Sequence, residues 1–239
     1  MKAIILAAGR GSRLGPLTDD RPKAMVAYNG KPMITRILET LRHCRIDDIT
    51  VVKGYKAEAL KTDGAKSILN ERYAATNMVA TLFCAEQEMD DDVIISYADI
   101  VYEPAILQTL IDEPSDFAVV VDKEWKTLWS RRGLDPLKDA ETLKLNRQGY
   151  ILEIGKKPAT YQEIQGQYIG LLKIRRSITN RIRALYRRMD RDRLYDGARF
   201  DQMYMTTFIQ HLIHLSVPVK AVPISGGWRE IDTPEDLKT

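Results

Sequence analysis

The chain begins with MKAIILAAGRGSRL (residues 1–14), and Arg21-Pro22-Lys23 follows shortly after it. Lys2 to Ala8 is an almost unbroken apolar run, the pattern of a strand that is buried on both faces. The strand opens into a loop of small and basic residues, namely Gly9, Arg10, Gly11, Arg13 and Gly15. Glycines let backbone N–H groups approach anionic oxygens closely, and Arg13 and Lys23 can offset further negative charge. The loop is therefore predicted to bind a triphosphate.

The spacing excludes two common phosphate-binding motifs. It does not match GxxxxGK(S/T), so the loop is not a Walker A site. The dinucleotide motif GxGxxG would require a glycine where Leu14 stands. A glycine-rich turn with unrelated basic residues is the structural alternative.

Apolar segments of helix and strand length alternate along the chain. Pro32 to Arg42 and Thr76 to Met89 show helical spacing, whereas Ile49 to Val52, Ser67 to Asn70 and Asp92 to Ser96 resemble strands. Repeated βα units imply parallel pairing, because right-handed crossovers place helices on both faces of one sheet. The expected fold class is α/β, with a doubly wound, mixed but mainly parallel sheet in a single domain.

Two aspartates are candidate ligands for a metal ion. Asp99 follows the strand that ends near Ser96, and ligands gather at the carboxyl ends of such strands. Asp232 precedes Thr233-Pro234, so it is also a candidate N-cap of the last helix. Mg²⁺ takes few protein carboxylates and bridges phosphate oxygens, so two aspartates from distant segments meet its needs. Asp99 and Asp232 are therefore predicted to bind Mg²⁺.

The residues LAAGRGSRL, followed by RPKAM, resemble the nucleotide-binding signature of nucleotidyltransferases that join an NTP to a phosphorylated small molecule. This family includes sugar-1-phosphate nucleotidyltransferases and bacterial choline-phosphate cytidylyltransferases. The resemblance implies a Rossmann-like, GT-A-type fold, with residues 1–116 as the nucleotide-binding half and residues 117–239 as the acceptor-binding half. It also implies that Asp99 and the aspartate of a C-terminal E-x-D motif, here Asp232, hold the metal. The residues implied in the first loop are Leu6, Ala7, Ala8, Gly9 and Gly11 for nucleotide binding, and Arg13 and Lys23 for catalysis.

Two further segments resemble those that approach the nucleobase and ribose in cytidylyltransferases. The first is Gly54-Tyr55, and the second is NERYAATNM (residues 70–78). The ligands implied in the second segment are Asn70, Thr76, Asn77 and Met78. Thr-Asn-Met before a helix resembles the choline-phosphate branch more than the sugar enzymes, so CTP is the favoured nucleotide. Thr76 is equally a candidate N-cap of that helix, and capping and base recognition are compatible.

The acceptor is expected to bind in the second half. Asp122, Trp125 and Trp129 would lie together if this stretch is helical, and acidic and indole groups can bind a substituted ammonium. Packing of the indoles in the core is the alternative. Gly155-Lys156-Lys157-Pro158 resembles the E-K-P segment of sugar enzymes, with Lys156 in place of glutamate, which weakens a hexose-binding hypothesis. The predicted acceptor site also includes Lys157, Gln167 and Tyr168.

The expected reaction is an in-line displacement of pyrophosphate. A phosphate ester has a second pKa of about 6, so the acceptor is already an anion and needs no general base. His43, His211 and His214 lie on predicted helices, and no Ser/His/Asp or Cys/His arrangement stands out. Mg²⁺, Arg13, Lys23 and backbone donors are expected to stabilise the transferring phosphoryl group.

Composition restricts the expected partners and location. The 239 residues carry a formal net charge of +3, and the arginines from Arg175 to Arg188 fall largely on a solvated helix face, so no nucleic-acid partner is expected. Cys44 and Cys84 lack the spacing of metal ligands, which indicates a reduced, cytoplasmic protein. No apolar run approaches the roughly twenty residues of a membrane span, and no signal peptide is evident, so no membrane association is expected. A homo-oligomer stays open.

The sequence thus predicts a Mg²⁺-dependent cytidylyltransferase that joins CMP, from CTP, to a small phosphorylated acceptor. Phosphocholine, aminoethylphosphonate and a phosphorylated amino-acid amide are the candidate acceptors, with capsule or surface-polysaccharide biosynthesis as the setting. The enzyme alternative is a sugar-1-phosphate uridylyl- or thymidylyltransferase. An alternative of another class is a non-catalytic nucleotide-sensing domain, which the presence of Arg13, Lys23, Asp99 and Asp232 disfavours.

Overall fold

The computed structural model describes residues 1–126 and 136–238. The strands are β1 (Lys2–Ala7), β2 (Ala27–Tyr28), β3 (Lys31–Pro32), β4 (Ile49–Lys53), β5 (Lys66–Leu69), β6 (Val93–Tyr97), β7 (Ile100–Tyr102), β8 (Phe117–Asp122), β9 (Leu143–Leu145), β10 (Ile151–Ile154), β11 (Gln167–Ile174), β12 (Leu194–Tyr195), β13 (Ala198–Arg199), β14 (Lys220–Ile224) and β15 (Trp228–Glu230). The α-helices are α1 (Met33–His43), α2 (Met78–Cys84), α3 (Pro104–Asp112), α4 (Pro136–Asp139), α5 (Arg176–Arg188) and α6 (Met205–His214). Short 3₁₀ helices cover Ser12–Thr18, Lys23–Met25, Ala57–Ala59, Tyr73–Ala75, Glu86–Glu88, Tyr161–Glu163, Phe200–Gln202 and Pro234–Lys238.

The main sheet is mixed and mainly parallel. Within the described ranges its seven strands lie in the order β14-β8-β11-β6-β1-β4-β5. Strand β1 pairs in parallel with both β4 and β6, and β5 and β14 are also parallel to their neighbours. Strand β11 runs antiparallel to β6 and β8. The predicted α/β, doubly wound fold class is therefore confirmed.

Strand β1 lies in the core because both of its faces are covered. Ile4 and Leu6 pack in one apolar cluster with residues of α2, α5 and α6. Ala3 and Ile5 pack in a second cluster with residues of α1 and α3. Successive side chains of a strand point to opposite faces, so the unbroken apolar run of β1 matches a sheet with helices on both sides.

Two predicted helices are shorter than expected. The helix predicted from Thr76 to Met89 begins at Met78, ends at Cys84 and is followed by the 3₁₀ helix Glu86–Glu88. Met89 follows this 3₁₀ helix, is fully buried and packs in the same apolar cluster as Ile4 and Leu6. The short helix expected after Tyr55 is the single 3₁₀ turn Ala57–Ala59.

The arginines of α5 lie as the sequence predicts. Ile182 is fully buried, whereas Arg181 and Arg187 are exposed. Arg183 and Arg187 pair with Glu86 at 3.0 and 2.8 Å, so part of this charge is neutralised within the protein. Among the helices of the described ranges, none combines the length and apolar character needed to cross a membrane.

Gly170 allows strand β11 to pass beneath an aromatic ring. Its φ is +87°, and a Cβ at this position would lie 2.6 Å from the ring of Tyr97. The register of β11 with β8 also shifts between Tyr168 and Leu172. Glycine adopts positive φ without the Cβ penalty, so Gly170 permits both the backbone conformation and the close approach.

We expect Gly170→Ala to destabilise the protein by about 2–4 kcal/mol, because strain at positive φ adds to a clash with the partly buried ring of Tyr97. Gly64 is the matched control: its φ is +86°, and no atom lies within 4 Å of its Cβ position. Gly64→Ala should therefore cost only about 1 kcal/mol. Urea unfolding monitored by circular dichroism measures both, and equal losses would contradict the packing role of Gly170.

Candidate active site

The candidate site lies at the edge of the sheet where β1, β4 and β6 end. Leu6 is in register with Val52 of β4 and Tyr97 of β6. Because the carboxyl ends of parallel strands meet at one edge, the segments that follow these strands share one cleft. The glycine-rich loop, Gly54-Tyr55 and Asp99 therefore approach each other from neighbouring strands.

Gly11 shapes the first loop around Lys23. Its φ is +74°, and a Cβ there would lie 2.6 Å from Cβ and 2.7 Å from Cδ of Lys23. The hydroxyl of Thr18 donates to the carbonyl oxygens of Gly11 and Gly15, at 3.3 and 3.1 Å. The loop is thus curled back on itself, and only glycine at position 11 leaves room for the lysine stem. Gly9 differs, because nothing lies within 4 Å of its Cβ position.

Lys23 lies between two carboxylates. Its Nζ is 2.9 Å from Oδ2 of Asp99 and 2.8 Å from Oδ1 of Asp232. Arg13 approaches from the solvent side, with Nη1 2.5 Å from Oδ2 of Asp232. Lys23 is 9% exposed, whereas the Arg13 side chain is 73% exposed. The structure therefore brings together all four predicted catalytic and metal-binding residues in one ion cluster.

The charge of Lys23 is preserved despite burial. Burial alone lowers the pKa of a lysine, but the negative charges and hydrogen bonds of Asp99 and Asp232 outweigh it and raise the pKa of Lys23 above its usual value. Lys23 is consequently an ammonium ion at neutral pH. It offers a fixed positive charge at the mouth of the glycine-rich loop.

The two aspartates fit a Mg²⁺ ion that is shared with a substrate. Oδ1 of Asp99 is buried and has no hydrogen-bond partner in the described part of the chain. In those ranges, no group of three or more His, Cys, Asp or Glu side chains is arranged to hold a metal. Mg²⁺ commonly takes one or two carboxylates and completes its shell with water and phosphate oxygens. The carboxylates of Asp99 and Asp232 therefore match the protein ligands that Mg²⁺ commonly takes.

Asp232 does not cap the last helix, contrary to the alternative that its sequence context allowed. Its two carboxylate oxygens pair with Lys23 and Arg13 instead. Asp236 performs the local turn-stabilising role, because its Oδ2 accepts from the backbone N–H groups of Asp232 and Thr233 at 3.0 and 2.8 Å. The carboxylate of Asp232 therefore binds the two cations and not the backbone of the last turn.

The loop after β4 closes against the end of β1. The backbone N–H of Tyr55 donates to the carbonyl oxygen of Ala8 at 3.0 Å. A Cβ on Gly54 would lie 2.6 Å from that same oxygen, so glycine is required by the close approach. The guanidinium of Arg10 lies 5.5 Å from the centre of the Tyr55 ring. The predicted nucleotide-binding residues thus lie at the end of β1 and in the two adjoining loops, namely Leu6, Ala7, Ala8, Gly9, Gly11, Gly54 and Tyr55.

Asn70 supports the segment that was predicted to read the base. Its Nδ2 donates to the hydroxyls of Thr76 and Thr81, at 2.9 and 3.0 Å. Its Oδ1 accepts from the backbone N–H of Arg72 at 3.1 Å. The side chain is buried and its amide has protein partners on both ends. The side chain therefore braces this segment, and its contact with the base stays a prediction.

The N-cap of α2 is Asn77 and not Thr76. Oδ1 of Asn77 accepts from the backbone N–H of Met78 at 2.8 Å. The Thr76 hydroxyl donates to the carbonyl oxygen of Arg72 at 3.0 Å, so it stabilises the preceding turn. Met78 is partly buried at the start of the helix. The nucleotide-binding roles of Thr76, Asn77 and Met78 stay predictions.

Asp122 and Trp125 are held by contacts within the protein, and their acceptor-binding roles stay predictions. Asp122 is the last residue of β8 and does not share a helix face with Trp125. Its carboxylate accepts from the indole Nε1 of Trp228 at 2.9 Å and from the backbone N–H of Glu124 at 2.9 Å. Trp125 is 2% exposed and packs with Ala140 and Ile164, as the packing alternative predicted. Trp129 lies outside the described residues.

The other predicted acceptor residues differ in their surroundings. Lys157 is exposed and donates to the carbonyl oxygen of Lys138. Gln167 is buried, its amide bonds to the backbone of Glu141, and its acceptor-binding role stays a prediction. Tyr168 packs edge-to-face on Tyr97, with ring centres 5.9 Å apart. Burial, followed by interaction with Tyr97, raises the pKa of the Tyr168 hydroxyl.

Two residues next to the cluster were not predicted as site residues, namely Tyr97 and Glu230. Tyr97 ends β6 two positions before Asp99, and Glu230 ends β15 two positions before Asp232. Their positions in the sequence were the signals that could have identified them.

A cavity of about 750 Å³ lies beside the β7–β15 ladder. Its lining includes Tyr28, Arg36, Tyr102, Asp122, Trp228 and Arg229. Arg13, Lys23, Asp99 and Asp232 do not line it. The Lys23 ion cluster therefore lies outside this cavity.

The fold and the ion cluster define the class of a nucleotide-binding transferase with an α/β sheet. Residues 3–196 match the model of the MobA-like NTP transferase domain. A CTP:phosphoglutamine cytidylyltransferase of Campylobacter jejuni subsp. jejuni serotype O:2 is 48% identical over 249 aligned residues, which cover 100% of this chain and 98% of that protein. The chain therefore belongs to the MobA-like NTP transferase family, and it is a nucleotidyltransferase.

Further relatives agree with this assignment. A choline-phosphate cytidylyltransferase of Streptococcus pneumoniae is 38% identical over 99 residues, or 40% of this chain and 43% of that protein. The solved structure of the CTP:phosphocholine cytidylyltransferase from Streptococcus pneumoniae superimposes with a TM-score of 0.72 at 22% identity, covering 99% of this chain and 96% of that one. The inositol-1-phosphate CTP transferase structure from T. maritima gives a TM-score of 0.74 at 21% identity, covering 98% and 90%. At these identities the two structures support the fold alone.

We expect Lys23→Met to destabilise the protein by about 3 kcal/mol, because it leaves two partly buried carboxylates without their cation. Lys31→Met is the matched control. Its Nζ lies 2.8 Å from Glu39, but both side chains are largely exposed, so its loss should cost less than about 1 kcal/mol. Urea unfolding in metal-free buffer measures both variants, and equal midpoints would argue against a stabilising cluster at Lys23.

Proposed function

We propose that this enzyme transfers CMP from CTP to phosphoglutamine and releases pyrophosphate. The observation that carries the proposal is the ion cluster of Arg13, Lys23, Asp99 and Asp232 at the mouth of the glycine-rich loop. Two cations and two carboxylates at one point suit the joining of two anionic substrates. The choice of CTP and phosphoglutamine is supported by the 48% identity to the Campylobacter enzyme of that name across almost its entire length.

The first loop is proposed to bind the triphosphate. Gly9 leaves open space above the end of β1, and the curled backbone from Gly11 onward offers N–H donors to the β- and γ-phosphates. Arg13 is exposed enough to turn from Asp232 toward a bound phosphate. Tyr55 and the 70–78 segment would border the base and ribose, and Asn70 would keep that segment in shape.

The reaction we propose is a single in-line displacement. A phosphoryl oxygen of the acceptor attacks the α-phosphorus of CTP, a new phosphorus–oxygen bond forms, and the bond from the α-phosphorus to the bridging oxygen breaks. Pyrophosphate carries away that electron pair. The attacking oxygen is anionic near neutral pH, so the residues of the site need to orient and neutralise the substrates and not to remove a proton.

Lys23 and Arg13 would stabilise the negative charge that gathers on the α-phosphate and on the leaving pyrophosphate. Asp99 and Asp232 would hold Mg²⁺, which supplies charge neutralisation at the phosphate oxygens when it is bound. Lys23 would then exchange its carboxylate partners for phosphate oxygens. The product would carry CMP on the phosphoryl group of phosphoglutamine. We propose that it is used in capsule or surface-polysaccharide biosynthesis.

Pyrophosphate release with each NTP and a panel of acceptors tests the proposed reaction. We expect turnover with CTP and phosphoglutamine, and little with phosphocholine, 2-aminoethylphosphonate or hexose-1-phosphates. A site built to hydrogen-bond a substrate penalises analogues that leave its polar groups unpaired by a factor of about 10⁴. Turnover with UTP or dTTP and a hexose-1-phosphate, but not with CTP, would replace this proposal with the sugar-nucleotide alternative.

We expect Arg13→Ala to lower kcat by a factor of about 10²–10³, because it removes one charged donor from the transferring phosphoryl group. Its unfolding midpoint should stay near that of the wild type, since the side chain is 73% exposed. Arg187→Ala is the control, because this exposed arginine on α5 also forms an ion pair, with Glu86 at 2.8 Å. Similar kcat values for the two variants would remove Arg13 from the mechanism.

A further inference from the structure

Thr18 is a buried polar residue at the end of the segment that follows the glycine-rich loop. It is the last residue of the 3₁₀ segment Ser12–Thr18, and none of its surface is exposed. Its hydroxyl oxygen lies 3.3 Å from the carbonyl oxygen of Gly11 and 3.1 Å from that of Gly15. A hydroxyl has a single hydrogen to donate, so the two carbonyls share it. Thr18 therefore connects the end of the segment to both glycines.

The two glycines are the bends of this loop. The φ of Gly11 is +74°, and it directly precedes the 3₁₀ segment. Gly15 interrupts that segment, with φ 57° and ψ −131°. Arg13 lies between the two bends. Because Thr18 bonds to the carbonyl oxygen at each bend, it fixes the stretch of backbone that carries Arg13.

Neighbouring side chains of this stretch have opposite surroundings. Leu14 is fully buried and packs in an apolar cluster with Val26 and Ile231. The side chain of Arg13 is 73% exposed and pairs with Asp232. The curl of the backbone is therefore what keeps the leucine in the core and the arginine at the ion cluster.

Asp19 connects the same segment to two further parts of the site. Its Oδ1 accepts from Nη2 of Arg10 at 2.9 Å, and Arg10 lies between Gly9 and Gly11 in the loop. Its carbonyl oxygen accepts from the hydroxyl of Tyr55, in the loop after β4, at 3.2 Å. The end of the segment thus contacts both loops that were predicted to bind the nucleotide.

The loop also carries backbone donors that the protein does not use. The N–H groups of Gly9, Arg10 and Gly11 form no hydrogen bond within the described part of the chain. Successive N–H groups can form a concave site for an anion when the backbone holds them in one shape. A loop that is already held in this shape binds its ligand without a further cost of ordering.

We infer that Thr18 is a positioning residue for the triphosphate of the nucleotide. This inference rests on the proposed function and deepens it. The Thr18 hydroxyl holds the bends at Gly11 and Gly15, and it thereby keeps the backbone donors and Arg13 in the arrangement that binds phosphate. Thr18 itself is buried, so it acts through the loop and not by contact with the substrate.

Thr18→Val tests the role of the hydroxyl, because valine has nearly the shape of threonine and cannot donate. We expect the Kd for CTP to rise about tenfold, measured by calorimetry with Mg²⁺ and without acceptor. In steady-state kinetics the KM for CTP should rise by a similar factor, while the KM for the acceptor stays near its wild-type value. Thr18→Ser restores the hydroxyl and should bind CTP within about twofold of the wild type. Thr18→Ala also lacks the hydroxyl and should bind CTP as weakly as Thr18→Val.

Thr179→Val is the matched control. Thr179 is 1% exposed, and its hydroxyl donates to a backbone carbonyl oxygen, that of Arg176 in α5, at 3.1 Å. The change removes the same kind of buried hydrogen bond at a position outside the loop. Both valine variants should lower the urea unfolding midpoint by a similar small amount, but Thr179→Val should leave the Kd for CTP unchanged.

The possible outcomes distinguish this inference from the proposed function. Wild-type affinity for CTP in Thr18→Val, or equally weak binding in Thr18→Val and Thr18→Ser, would overturn the positioning role. Equal weakening of CTP binding in Thr179→Val would also overturn it, because the effect would then be a general one. The expected pattern of CTP binding, without turnover of phosphoglutamine, would support the role of Thr18 and overturn the proposed acceptor. If the wild type binds and uses UTP in place of CTP, the proposed function is wrong, and the same pattern measured with UTP would still support the role of Thr18.

Discussion

The ammonium of Lys23, held between Asp99 and Asp232, is the interaction on which the active site depends. It joins three segments that are far apart in the sequence, namely the glycine-rich loop, the end of β6 and the C-terminal turn. Gly11 makes this possible, because any side chain there would displace the stem of Lys23. The loop, the lysine and the two aspartates therefore form a single structural unit, and a change in one alters the others.

The cluster also explains how a site for several anions can be stable without them. Two cations and two carboxylates neutralise each other, so little net charge is buried in the free enzyme. In the reaction that we propose, Lys23 and Arg13 would exchange carboxylate oxygens for phosphate oxygens, and Asp99 and Asp232 would hold Mg²⁺. The charges of the cluster would thus be balanced by new partners when the substrates bind.

The parts of the site that the sequence predicts well are governed by local rules. An apolar run ending in glycines identifies β1 and its loop, and the end of the next buried strand locates Asp99. Prediction is poor where a side chain forms hydrogen bonds with a residue that is distant in the sequence. The carboxylate of Asp122 bonds to Trp228, and the amide of Gln167 bonds to Glu141. A sequence shows which hydrogen bonds a side chain can make, but it does not show which residue of the folded protein makes them.

The nucleotide loop and the second half of the chain differ in how far apart their contacting residues lie in the sequence. The nucleotide loop is built from residues a few positions apart, so its chemistry can be read as a motif. Contacts in the second half of the chain join residues that are distant in the sequence: Gly170 makes room for the ring of Tyr97, and Gln167 and Thr206 bond to Glu141. Such contacts form only in the folded protein, so a sequence motif does not reveal them.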